Sequence, residues 1–121
     1  MAIATHISDL LYRYDCVILP GFGAFLTQKE SAHYNENAKA FYPPKKRISF
    51  NSQLKKNDGL LANYIADIRG IKYSEAVYSI AEFVEKLNKQ LAKKQTVNIE
   101  NLGSLSLSSE GILQFEPVTE N

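Results

Sequence analysis

Val17–Thr27 reads VILPGFGAFLT, and eighty residues later Val97–Leu107 reads VNIENLGSLSL. At that spacing Val17 matches Val97, Leu19 matches Ile99, Phe22 matches Leu102, Gly23 matches Gly103 and Phe25 matches Leu105. Each copy is a short apolar run, a turn signal and a second run, the pattern of a strand–turn–strand hairpin. Its glycines are expected to supply positive φ at a tight turn, and its large apolar residues to fill a core. Gly21, Phe22, Gly23 and Gly103 are therefore assigned a structural role in the turns.

Working outward, Ile3, Ile7, Leu10, Leu11 and Tyr14 recur at helical spacing and predict a short amphipathic helix before the first hairpin. Cys16–Leu19 and Ala24–Gln28 read as its strands. A polar excursion over Lys29–Phe41 follows, and Pro43-Pro44 belongs at a strand end, a bulge or an edge. Arg47–Asn51 extends again. Asp58 is the expected N-cap of a helix from Leu60 to about Arg69, with Gly70 as its stop and Leu61, Tyr64, Ile65 and Ile68 facing inward. A longer helix runs from about Tyr73 to Ala92, its inner stripe Val77, Ile80, Ala81, Val84, Leu87 and Leu91. Thr96–Ile99 and Ser104–Leu107 form the second hairpin. A turn at Ser108–Gly111 and a strand at Ile112–Glu116 close the chain.

The repeat extends further but unevenly. Ile7, Leu10, Leu11 and Tyr14 match Leu61, Tyr64, Ile65 and Ile68 at an offset of 54. The first copy, 1–57, thus lacks the long helix and carries the excursion, and the second, 58–121, has the helix and a tight turn. Neither copy holds enough apolar residues to stand alone, so the two are expected to share one core.

With 121 residues, 45% hydrophobic and 22% charged, the composition is that of an ordinary globular domain. The single cysteine excludes an intramolecular disulfide. No apolar run has the length of a membrane span and the N-terminus lacks a signal-peptide pattern, so a soluble, cytoplasmic chain without membrane contact of its own is expected. Charge is uneven. Asn37–Asn57 holds Lys39, Lys45, Lys46, Arg47, Lys55 and Lys56 and no acid, which leaves −5 for the rest of a chain of net charge +1. Such a segment is either a footprint for phosphate or a solvated loop.

Catalytic chemistry finds no support. His6 and His33 have no carboxylate or thiol at metal-ligand spacing, and His6 is expected at the surface or its boundary. Cys16, opening an apolar strand, reads as a buried, inert thiol. Asp9 and Asp15 have no partner for acid–base work. Gly21-Phe22-Gly23 lacks the third glycine, following helix and lysine of nucleotide loops. No enzyme activity, metal, cofactor or small-molecule substrate is expected. Tyr14, Tyr64, Phe22 and Phe25 sit on core stripes. Tyr34, Phe41 and Tyr42 instead lie beside basic residues with no stripe to bury them, and could serve a protein or nucleic-acid partner.

The second copy resembles the HU and integration host factor superfamily in its order of helix, Gly70-Ile71 turn, alanine-punctuated long helix, strand, glycine turn and strand. Gly21-Phe22-Gly23-Ala24-Phe25 is close to that superfamily's turn. More narrowly, LLYRYDCVILPGFGAF, FYPPKKRISFN and LKKNDGLLANYIA look like the paired HU-type region at the N-terminus of bacterial proteins that continue into a membrane anchor and a peptidoglycan-binding SPOR domain. The resemblance implies an α+β fold of two HU-like units forming one pseudo-dimeric core with a single arm. It implies a binding module at the cytoplasmic face of an envelope or division protein. The arm residues Lys39, Phe41, Tyr42, Lys45, Lys46, Arg47, Lys55 and Lys56 would meet a protein partner or, weakly and without sequence preference, DNA. Self-association is a further possibility. HU proteins use two basic arms with a proline wedge. Here Thr27–Glu36 carries one lysine against two glutamates, the prolines lie away from the expected tip near Asn35–Asn37, and the second copy has no arm.

Overall fold

The computed structural model describes residues 3–42 and 45–118, so Pro43-Pro44 lies outside the described residues. In chain order the elements are α1 (Ile3–Leu11), β1 (Cys16–Leu19), β2 (Gly23–Glu30), β3 (His33–Asn35), β4 (Ala40–Tyr42), β5 (Lys45–Asn51), α2 (Leu60–Arg69), α3 (Tyr73–Ala92), β6 (Val97–Ile99), β7 (Gly103–Leu107) and β8 (Leu113–Pro117). The strands form antiparallel sheets ordered β1-β2-β5, β3-β4 and β6-β7-β8. The fold is α+β, with two HU-like units in one core.

The repeat in the sequence is a repeat in register. Val17 pairs with Phe25 and Leu19 with Gly23; eighty residues on, Val97 pairs with Leu105 and Ile99 with Gly103. The turns match as well. The Phe22 N–H donates to the Leu19 carbonyl and the Leu102 N–H to the Ile99 carbonyl, both at 3.0 Å. The left-handed residue of each turn is Gly21 (φ 81°) or Asn101 (φ 67°), as a type II turn requires at its third position.

Gly23 and Gly103 are constrained by crowding more than by the turn. A Cβ on Gly23, whose φ is not left-handed, would overlap the Phe50 ring and lie 3.0 Å from the Asn51 carbonyl oxygen. A Cβ on Gly103 would overlap the Glu116 carbonyl oxygen and lie 2.8 Å from the Phe115 ring, and this residue also has φ +154°. The expectation that positive φ explains both is thus corrected at Gly23. There the third strand of the sheet lays an aromatic ring over bare backbone.

Both units feed one core. Its buried residues run from Ile3, Ile7 and Leu10 through Val17, Leu19 and Phe25 to Leu61, Ile65, Ile80, Leu102 and Leu105. Across the two units, the buried Phe25 of the first packs edge-on against the partly buried Phe115 of the second, with ring centroids 5.7 Å apart. Each side chain fully buried in this way contributes about 1.5–3 kcal/mol relative to exposure, so burial between the units stabilises both.

The helices lie where expected, with four corrections to their faces. Tyr14 falls beyond the end of α1 and is 46% exposed. Ile68, on the flank of the stripe Leu61–Ala62–Ile65, is 58% exposed. In α3 the buried stripe is Ala76, Ile80, Val84, Leu87 and Leu91. Val77 and Ala81 lie about 60° and 100° from its midline at 3.6 residues per turn and are exposed. His6, expected at the surface or its boundary, is buried between α1 and α2 at 7% exposure. Capping also differs at α2. Its N-cap is Gly59, while Asp58 stands one residue earlier and accepts the Leu60 N–H at 3.0 Å. Gly70 ends the helix in the left-handed conformation, as expected.

Candidate partner-binding surface

The excursion is a two-stage ribbon. β2 outruns β1 and pairs with β5 from Ala24↔Asn51 out to Glu30↔Lys45. The pairing of β3 with β4 continues that register without a shift. Four residues beyond Lys29↔Lys46 on each strand comes His33↔Tyr42, then Tyr34↔Phe41 and Asn35↔Ala40. The loop 36–39 closes the tip. Asn35 Oδ1 accepts the Ala38 N–H at 3.0 Å, and Lys39 is left-handed with φ 50°.

Strand alternation decides what the ribbon presents. Phe25/Phe50, Thr27/Ile48 and Lys29/Lys46 share one face of the stem, and Ala24/Asn51, Leu26/Ser49 and Gln28/Arg47 the other. Lys46 and Arg47 therefore project to opposite sides. Lys46 turns its Nζ over the ring of Tyr12, 5.3 Å from the centroid. Lys29 stands directly opposite Lys46, a like-charge pair of the kind that costs stability unless a counter-charge sits near. Lys55 and Lys56 are elsewhere. The Lys55 carbonyl accepts the Gly21 N–H at 2.9 Å, beside the β1–β2 turn. Lys45 and Lys55 are thus separated by the seven residues of β5, roughly 20 Å of strand. The six sequence-designated cations do not share one face: Lys39 is at the tip, Lys45, Lys46 and Arg47 on the stem, and Lys55 and Lys56 at the base.

The aromatic residues divide in the same way. Tyr42 stacks on His33, with centroids 5.1 Å apart and planes 25° from parallel. Phe41 is its strand neighbour and points away, paired with Tyr34. Phe41 is 66% and Tyr34 57% exposed, so this cross-strand pair of residues presents two aromatic rings to solvent. Tyr12 and Lys29 join this surface although neither stands out in the sequence. Only the strand register, which fixes 29 against 46, brings Lys29 into view.

Away from the arm, His6 and Tyr64 form a small polar cluster with Arg69 and Asp9. Arg69 Nε donates to His6 Nε2 at 3.3 Å, and the Tyr64 ring meets the His6 ring edge-on at 5.7 Å. Burial, reinforced by the Arg69 charge and opposed by Asp9, holds the His6 pKa below the ordinary histidine value. Tyr64 donates to Asp9 Oδ2 at 3.4 Å. Burial and the neighbouring Asp9 push its pKa up. Cys16 is half-buried, not fully buried. Burial and then Asp58 raise its pKa, which keeps the thiol a poor nucleophile. Among the described residues no group of three His, Cys, Asp or Glu is arranged to hold a metal ion. No described helix is long and apolar enough to cross a membrane.

Comparison with known proteins matches residues 1–58 to CCDC81-like prokaryotic HU domain 1 and residues 59–121 to CCDC81-like prokaryotic HU domain 2. Neither the curated proteins nor the solved structures give a match.

Proposed function

Since the chain belongs to the CCDC81-like prokaryotic HU family, with its two HU domains in tandem, we propose that it is a non-enzymatic module that binds a protein partner through the tip of its single arm. The observation that carries this reading is the exposed Tyr34–Phe41 pair, set directly opposite on a two-stranded hairpin. Large aromatic side chains held rigidly in the open are the usual anchors of protein interfaces. We further propose that the module is the cytoplasmic N-terminal region of a membrane-anchored envelope or division protein with a SPOR domain. That placement is supported by the resemblance of LLYRYDCVILPGFGAF and FYPPKKRISFN. A photo-crosslinking residue in place of Tyr34 tests the reading in cells. Protein adducts that vanish with Phe41→Ala are expected, and adducts to nucleic acid alone would overturn it.

A second reading, weak sequence-nonspecific DNA binding, is favoured by Lys29 and Lys46 on one face of the stem. It calls for affinities of about 10⁻⁴–10⁻⁶ M at physiological salt. Replacing Lys29 and Lys46 by Ala would weaken every duplex alike, and each lost contact would reduce the slope of log affinity against log salt by roughly 0.9. Absence of salt-dependent binding at low ionic strength removes this reading.

A further inference from the structure

Under the base of the arm lies a cleft of about 270 Å³ where the two units meet. Its floor is apolar: Leu11 from α1, Ile48 from β5 and Leu102 from the β6–β7 turn. Around the mouth stand Ser8, Tyr12, Thr27, Lys46 and Asn101. Tyr12 is 77% exposed, which is unusual for a ring next to an apolar floor, and it carries the Lys46 ammonium on its face.

The internal repeat shows that this lining is particular to one seam. At the matching positions of the other unit, Ser8 becomes Ala62, Tyr12 becomes Ala66, Thr27 becomes Leu107 and Asn101 becomes Gly21. Ala62 belongs to the core, and Ala66 and Leu107 pack against it. Lys46 falls where the second unit reaches the glycine of its tight turn, Gly111. The same framework is therefore packed with apolar residues in one copy, and in the other it is open and rimmed with one cation and several hydrogen-bonding groups.

We propose that this cleft binds a short peptide segment bearing one carboxylate beside apolar side chains. The apolar floor takes the aliphatic groups, the Lys46 ammonium takes the carboxylate, and Ser8 and Asn101 serve the peptide backbone. A phosphodiester chain fits less well. Among the described residues Lys46 alone supplies a cation to the cleft lining, whereas nucleic-acid backbones are held by several cations together. The cleft rests on the protein-binding reading but is a contact separate from the arm tip.

The test is an amide chemical-shift titration of the full chain with acetyl-Leu-Glu-Leu-amide and its Gln counterpart. The expected result is saturable shifts at Leu11, Ile48 and Leu102, with the Glu peptide about fivefold tighter, the upper range for a solvent-accessible ion pair. Lys46→Gln should abolish that preference and Tyr12→Ala should weaken both peptides. Both variants should melt with the parent, since both side chains are exposed. Phe41→Ala should change nothing. Equal affinity for the two peptides, shifts confined to other regions, or cleft shifts with a 12-base-pair duplex but with neither peptide would overturn the proposal. If Tyr34 still crosslinks to protein in that case, the cleft alone is wrong and the arm reading stands.

Discussion

Adding one methyl group to each of the two matched glycines separates two kinds of crowding. In Gly23→Ala the new Cβ meets the Phe50 ring, a side chain that can shift. It does so at the expense of its packing on Phe25, 5.1 Å away, and Phe22, 5.5 Å away. Overpacking of this kind costs about 1–3 kcal/mol. In Gly103→Ala the Cβ meets the Glu116 carbonyl, which belongs to the β7–β8 ladder and moves only if pairing breaks. A backbone conformation unfavourable to L residues adds about 1–3 kcal/mol, for a total of about 2–6 kcal/mol. At roughly 3–5 °C per kcal/mol for a chain of this length, Gly103→Ala should lose the more in Tm. Urea denaturation followed by far-ultraviolet circular dichroism then completes two double-mutant cycles. Phe50→Leu should relieve Gly23→Ala, with a favourable coupling of about 1 kcal/mol. Phe115→Leu should relieve Gly103→Ala much less, because the carbonyl remains. Additivity at 23 and 50 within about 0.3–0.5 kcal/mol, or equal relief at both sites, would refute the distinction.

Acidification should destabilise the protein. The folded-state pKa of His6 lies below the ordinary value of 6.5, so its contribution is complete above pH 6.5 and is lost as pH falls below it. The Tm measured from pH 8 to 5 should drop, and His6→Gln should flatten that drop; an unchanged profile in the variant would assign it to other groups. Fragments 1–57 and 58–121 made separately should include at least one without a cooperative melt, since Phe25 and Phe115 complete each other's packing, and two cooperative melts would refute the shared core. Ile65→Ala should cost about 2–5 kcal/mol in urea, whereas Ile68→Ser should stay within about 0.5 kcal/mol; similar losses would restore Ile68 to the core.

The elements whose periodicity runs unbroken were legible in the sequence. The α3 span, the Gly70 stop and the eighty-residue hairpin repeat all emerge from spacing and turn residues alone. What failed was orientation at the margins. Val77 and Ala81 satisfy an apolar spacing, but the buried stripe runs through Ala76, four residues before Ile80, and leaves those two on its flank. His6 looked like a boundary residue because nothing local reveals that Tyr64 and Arg69, some sixty positions away, close over it. The basic limb was legible as charge but not as a surface. Alternation along β5 sends consecutive cations to opposite faces, and that outcome depends on a register set by residues on β2.

Joining two HU-like units in one chain explains why the copies can differ so much. In a symmetric homodimer any substitution appears twice, so an arm, a helix or a polar seam is present in both subunits or in neither. In this chain each was settled once. The first unit carries the arm and no long helix; the second carries the helix and closes its hairpin with a tight turn at Gly111. What both had to preserve is the part that packs against the other copy: the Val–Leu/Ile strand, the type II turn, the bare glycine under an aromatic ring and the inward Phe25 or Leu105. The two copies share that framework and differ at their surface positions. The seam beneath the arm is where the divergence is chemical as well as steric, since Ala62, Ala66 and Leu107 pack against the core in one copy while Ser8, Tyr12 and Thr27 border an open cleft in the other.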